Sequence, residues 1–223
     1  MSRPLAILRP EPGSSATAGH IEALGLEAIR LPLFVVRALD WTPPDPADHD
    51  ALLLTSANAV RLGGPHLAGF LSLPVLAVGK KTAEAASLAG FDVMAAGSAD
   101  AAAMVALAQA HGLSRLLHLG GRDRAIEPHG PVSRAIAVYA SEEVPVAAEM
   151  LGQLAGATAL LHSARAAARL GALVDSHAID RSSIAIAALS SAVATAAGKG
   201  WAMVTVAAVP TDTALIEAAC TRD

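Results

Sequence analysis

Apolar positions along this chain come in short uninterrupted blocks, not in strict alternation with polar ones. Residues 5–8, 51–54, 75–78, 116–119, 159–161, 184–189 and 203–206 are such blocks, and most hand over through a Gly, Ser or Pro turn to a small-residue segment with helical potential. A continuous apolar run suits a parallel strand covered on both faces, and a strand that hands over to a helix is one βα unit. Between the blocks, the pattern predicts a first helix through about residue 24, capped by Ser14, Ser15 or Thr17. It also predicts strands at 28–31 and 93–95, helices at 57–62, 101–110 and about 147–155, and a last helix capped by Thr211 or Asp212. Residues 135–139 read as an edge strand. Residues 42–46 carry three prolines and read as a connector. Residues 141–146 read as the return linker.

One of these hand-overs occurs twice. Ala51-Leu52-Leu53-Leu54-Thr55-Ser56-Ala57-Asn58 is echoed by Ala159-Leu160-Leu161-His162-Ser163-Ala164-Arg165, with Ser56 and Ser163 offset by 107 residues. Gly90-Phe91 is echoed by Gly200-Trp201. The repeat predicts two similar α/β domains with parallel sheets. The N-terminal strands find partners most simply if the C-terminal third joins them. That gives a discontinuous first domain, residues 1–37 plus 145–223, and an inserted second domain, residues 40–142, joined by two linker strands that could act as a hinge.

Composition narrows the ligand class. The chain of 223 residues is 53% hydrophobic but only 3% aromatic, which leaves Ala, Leu and Val to build the interior. A net charge of −4 argues against nucleic acid, whose binders carry a basic surface. Cys220 is the sole cysteine, so an intramolecular disulfide or a thiolate metal cluster is out of reach. The block at 5–8 is too short for a signal-peptide core, and no run approaches the ~20 apolar residues of a membrane helix. The expected setting is cytoplasmic, with no membrane partner.

Common catalytic motifs are missing. No strand leads into a GxGxxG or Walker-type loop, no GxSxG surrounds the duplicated serines, and the histidines show no metal-ligand spacing. What remains is a set of strand-end turns: Arg9-Pro10, Ser56-Ala57-Asn58, Gly79-Lys80-Lys81-Thr82, Gly120-Gly121-Arg122, Ser163-Ala164-Arg165 and Ser190-Ser191. Each serine could simply cap its helix. Together, free helix N–H groups and hydroxyls at the carboxyl ends of parallel strands suit an anionic ligand such as a carboxylate. Tyr139, the sole tyrosine, could offer its phenol as a proton donor. Arg9 and Arg165 could pair with ligand carboxylates.

In this order and spacing, these pieces resemble the uroporphyrinogen-III synthase family. The matching residues are Leu8-Arg9-Pro10, Leu54-Thr55-Ser56-Ala57-Asn58-Ala59-Val60, Val78-Gly79-Lys80-Lys81-Thr82-Ala83, Val138-Tyr139, Leu161-His162-Ser163-Ala164-Arg165 and Pro210-Thr211-Asp212-Thr213-Ala214-Leu215. The resemblance implies two flavodoxin-like domains on a two-stranded linker. It also implies cyclisation of hydroxymethylbilane, with loss of water and inversion of the last pyrrole ring, to give uroporphyrinogen III. It implies no cofactor and no metal, a monomer, and possible transfer of substrate from hydroxymethylbilane synthase. By the same resemblance Tyr139 assists departure of the hydroxyl. Arg9, Ser56, Ala57, Asn58, Lys80, Thr82, Gly120, Ser163, Ala164, Arg165, Ser190 and Ser191 bind substrate.

The chain departs from the family pattern twice. Val193 stands where the last-domain turn has a threonine, which either shifts the hydroxyl role to Ser190 or Ser191 or removes it. The helix expected after Gly120-Gly121-Arg122 is nearly deleted, replaced by Glu127-Pro128-His129-Gly130-Pro131. The alternative reading is a non-catalytic two-lobed module for a small anion, or an inactive family member.

Overall fold

A computed structural model describes residues 3–97, 101–124 and 127–221. These residues form two compact units, 1–35 with 142–223 and the continuous stretch 36–141.

The first unit is built on a five-stranded parallel sheet. Its strands are β1 (Leu5–Ile7), β2 (Ala28–Arg30), β9 (Thr158–Leu161), β10 (Ala185–Ala188) and β11 (Met203–Val206), in the spatial order β11-β10-β9-β1-β2. Every residue of β1, β9 and β10 is buried, as their unbroken apolar blocks require. One face of the sheet packs Leu8, Leu161, Ile186 and Leu170 into a core. The other face packs Leu5, Ile7, Leu160, Leu215 and Ile216. Helices α1 (Gly13–Ala23), α6 (Ala164–Ser176), α7 (Ser191–Ala197) and α8 (Asp212–Cys220) cover them, together with the short α5 (Ala148–Gly152).

The second unit carries β4 (Ala51–Leu54), β5 (Val75–Val78), β6 (Val93–Gly97) and β7 (Leu116–Gly121). Its helices are α2 (Ala57–Leu62), α3 (Lys80–Leu88) and α4 (Ala101–Ala110). Two further strands, β3 (Phe34–Ala38) and β8 (Val132–Glu143), complete a six-stranded sheet in the order β3-β8-β7-β4-β5-β6. The unit boundaries fall within these two strands. The Leu39 N–H donates to Val138 O and the Val144 N–H to Leu33 O, so β3 and β8 run in opposite directions. Leu52, Leu54, Leu117 and Leu119 point into one core, and Leu53, Leu76 and Leu116 into the other.

Three local expectations are corrected. Residues 135–139 are not an edge strand: β8 runs twelve residues and lies between β3 and β7. Its mixed polar and apolar pattern comes from partial cover on its faces, not from a free edge. The same strand continues to Glu143, so the return linker begins three residues later than its polarity suggests. Helix α1 begins at Gly13 with no side-chain cap, and Ser14 and Thr17 are buried inside it. The turn fixed by Pro10 and Pro12 starts that helix without a hydroxyl, which frees Thr17 for another task.

Candidate active site

At the carboxyl end of the first unit's sheet, three neighbouring strands present their turns side by side. Arg9 follows β1, His162 and Ser163 follow β9, and Ser190 and Ser191 follow β10. Ser163 caps α6 by accepting from the Ala166 N–H, and Ser190 caps α7 by accepting from the Val193 N–H. The hydroxyls of Ser163 and Ser190 therefore each already serve a helix. Ala164, the first residue of α6, is exposed, as is Ser191.

The polar centre of this edge is Asp212, in the first turn of α8 behind its cap Thr211. Its carboxylate accepts from Thr17 Oγ1 at 2.9 Å and meets His162 Nε2 at 2.8 Å, His20 Nδ1 at 3.0 Å and Arg9 Nη1 at 3.5 Å. Burial pushes the Asp212 carboxyl up, but hydrogen bonds from His162, His20 and Thr17 outweigh it and hold the group below its ordinary range. Burial lowers the His162 pKa, and the hydrogen bond to Asp212 opposes that shift. Its Nδ1 is buried with no hydrogen-bond partner. Arg9 lies over Gly13: a Cβ there would sit 2.3 Å from its Nε. Arg165, offered by the sequence as a partner for a ligand carboxylate, stacks its guanidinium 4.4 Å from the centre of the Phe34 ring. Arg9 joins the cluster around the Asp212 carboxylate.

The corresponding edge of the second unit is lined differently. Ser56 caps α2 by accepting from the Asn58 N–H, with Ala57 buried behind it. Gly79, at φ +86°, turns β5 into α3 without a side-chain cap, leaving exposed Lys80 at the helix start. Thr82 is buried at the third position of α3. Val193 holds the same third position of α7, and is also buried. The pairing of Thr82 with Val193 is therefore one of equivalent places in two helices, with the hydroxyl present only in the second unit.

Next to these turns, β7 ends in Gly120 and Gly121, both buried. Gly121 pairs with Tyr139 of β8, and the register shifts by one residue between Gly120 and Gly121. Such a bulge re-aims the side chain beside it. Tyr139 is half-buried against the core that includes Leu54 and Val138. On β7, fully buried His118 meets Thr55 Oγ1 at 3.1 Å through Nε2, while its Nδ1 has no partner. Burial alone pushes the His118 pKa down to about 4, so the ring is neutral near pH 7.

Sequence reasoning missed Asp212 as more than a cap, and missed His118, His162, His20 and Thr17. Their partners lie far along the chain, 192 and 195 residues in the case of Asp212 with His20 and Thr17. The only local signal was a histidine within the apolar block at 116–119 and another directly after the block at 159–161. Among the described residues, no group of three His, Cys, Asp or Glu side chains is arranged to hold a metal ion. Among the same residues, no helix is long and apolar enough to cross a membrane.

Comparison with known proteins gives one family. The family described as "Uroporphyrinogen-III synthase HemD" matches residues 15–217. No curated protein matches the chain. Among solved structures, uroporphyrinogen-III synthetase from Helicobacter pylori is similar at 16% identity and a TM-score of 0.65, covering 96% of this chain and 97% of that one. A mutant uroporphyrinogen III synthase from the extremely thermophilic bacterium Thermus thermophilus is similar at 14% identity and a TM-score of 0.51, covering 97% and 96%. At these identities the likeness concerns the fold.

Proposed function

This chain belongs to the uroporphyrinogen-III synthase family, and we propose how its residues divide the work of cyclising hydroxymethylbilane, a linear tetrapyrrole with eight carboxylates, to uroporphyrinogen III. The enzyme is a lyase of haem biosynthesis acting on a small-molecule tetrapyrrole. Its finer class is a hydro-lyase: the pyrrole nitrogen's electron pair expels the terminal hydroxyl, Tyr139 gives that oxygen a proton, and it leaves as water. The tyrosinate takes back the proton that the pyrrole N–H then sheds, which leaves an azafulvene electrophilic at its methylene carbon. It closes on the substituted carbon of the last pyrrole, through a spiro intermediate, and that ring emerges inverted. The pyrrole supplies the electrons, so no cofactor takes part in the step.

Holding the chain folded is the harder part, because unguided closure gives the uninverted isomer. Arg9 binds a substrate carboxylate in a charged hydrogen-bonded pair, with Asp212 holding its guanidinium through Nη1. The exposed starts of α3 and α6, at Lys80 and at Ala164 with Arg165, offer backbone N–H groups to further carboxylates. Helices α3 and α6 are nine and thirteen residues long, so they suit that role better than the six-residue α2 behind Ser56, Ala57 and Asn58 or the seven-residue α7 behind Ser190 and Ser191. The Thr82 hydroxyl and the Gly120 backbone complete the second unit's contribution. The family match over residues 15–217 carries the reaction assignment. The placement of Tyr139 beside Gly121 at a strand end supports its role. The protein acts as a cytoplasmic monomer, receiving its substrate from hydroxymethylbilane synthase.

The test is an isomer assay coupled to hydroxymethylbilane synthase. Added protein should shift the oxidised product from isomer I to isomer III. Isomer I left unchanged would overturn the assignment.

A further inference from the structure

Two adjacent glycines close β7, and neither is there for backbone freedom. Gly120 and Gly121 are not among the positive-φ glycines, so an alanine could adopt either conformation. What each lacks is room. A Cβ on Gly120 would lie 2.5 Å from His118 Cε1. A Cβ on Gly121 would lie 2.8 Å from both Cε2 and Cζ of Tyr139 and 3.0 Å from its hydroxyl oxygen. The Tyr139 ring therefore rests on the bare Cα of Gly121, at the place where the β7–β8 register shifts.

We propose that Gly121 is a positioning residue for the reaction: its missing side chain, together with the adjacent bulge, sets where the Tyr139 phenol sits. The proposal rests on the reading of Tyr139 as proton donor. The ring also packs against the core containing Leu54, Leu119 and Val138, so moving it into that core would displace packed side chains. A methyl at Gly121 must drive the ring outward by about half an ångström or more to reach an ordinary contact. Misplacing a reacting group by ~1 Å costs on the order of 10²-fold in rate. Carboxylate contacts elsewhere are untouched, so the loss falls on kcat and not on KM.

Tyr139 is the sole tyrosine, which gives the position of its ring a private signal. Protein made with 3-fluorotyrosine has one ¹⁹F resonance. Gly121→Ala should move that resonance and lower kcat by roughly 10-fold to 10²-fold, with KM within about twofold. In a Tyr139→Phe background, adding Gly121→Ala should lower kcat by less than about twofold, since no phenol remains to misplace. An unmoved resonance, or the same fold-loss in both backgrounds, overturns the proposal. Should Gly121→Ala fold poorly, Gly121→Ala/Tyr139→Ala should fold better than it, because the crowding ring is gone; no recovery overturns the proposal as well. Full kcat in Tyr139→Phe would instead sink the proton-donor role, while the ¹⁹F shift still decides whether Gly121 places the ring.

Discussion

The two strand edges begin from one sequence motif and end with different partners for its polar residue. In each, a buried strand delivers a polar residue and then a capping serine: Thr55 before Ser56, His162 before Ser163. His162 reaches an ionised carboxylate, Asp212, which also gathers Arg9, Thr17 and His20. Thr55 reaches His118, an imidazole kept neutral by burial. The motif fixes where a polar group stands. What neighbouring strands and helices supply decides its charge. In the proposed chemistry Arg9, beside Asp212, holds a carboxylate of the substrate, and Tyr139, beside the glycines of β7, serves the loss of water.

Acid should separate the two edges most strongly. The His118 pKa is depressed from 6.5 to about 4, so the unfolded chain takes up a proton that the folded one refuses. Its contribution is intact above pH 6.5 and lost as pH falls through that window, by about 3 kcal/mol at ~1.4 kcal/mol per pH unit. Denaturant unfolding at a series of pH values should show this slope in the wild type and a flatter one in His118→Leu. Equal slopes would remove His118 from the contrast. The shift of His162 has the same sign, but Asp212 opposes it.

Next comes the division of kinetic effects. Tyr139→Phe should lower kcat by roughly 10²-fold, the low end for general-acid assistance, without much loss of stability. Arg9→Ala should raise KM by about tenfold, the worth of one charged hydrogen-bonded contact, with kcat nearly unchanged. Steady-state kinetics in the coupled assay would blur the comparison if both variants moved the same constant.

The smallest effect concerns the serines that the edges share. Ser163→Ala and Ser56→Ala should each cost about 1 kcal/mol in thermal unfolding, with no large change in turnover. A loss of turnover far beyond that of stability in either variant would give its hydroxyl a role beyond capping.

Much of the fold was legible because buried parallel strands leave unbroken apolar blocks, and the duplicated Leu-Leu-x-Ser turn marked two like sheets. The caps Ser56, Ser163, Ser190 and Thr211 were legible because capping is local. Strand β8 was misread because a central strand with partial cover alternates much as an edge strand does. The Asp212 cluster was invisible for a different reason. Its members come from α1, from the turns after β1 and β9, and from α8, and nothing in the spacing of Thr17, His162 and Asp212 announces that they meet. The glycines of β7 read as a turn signal, whereas each makes room for a ring that only the folded sheet brings near.

The place of β1 in its sheet carries a consequence for biosynthesis. Leu5 pairs with Ala28 on one side and with Thr158 on the other. A ribosome that has just made β1, α1 and β2 has made one flank of that strand and must add well over a hundred residues before the other appears. At typical synthesis rates of ~5–20 residues per second, that interval is on the order of ten seconds. Residues 36–141 are a continuous stretch and emerge complete within it. The nascent chain therefore closes its middle first, while the apolar open side of β1 is the surface a chaperone would have to guard until β9 arrives.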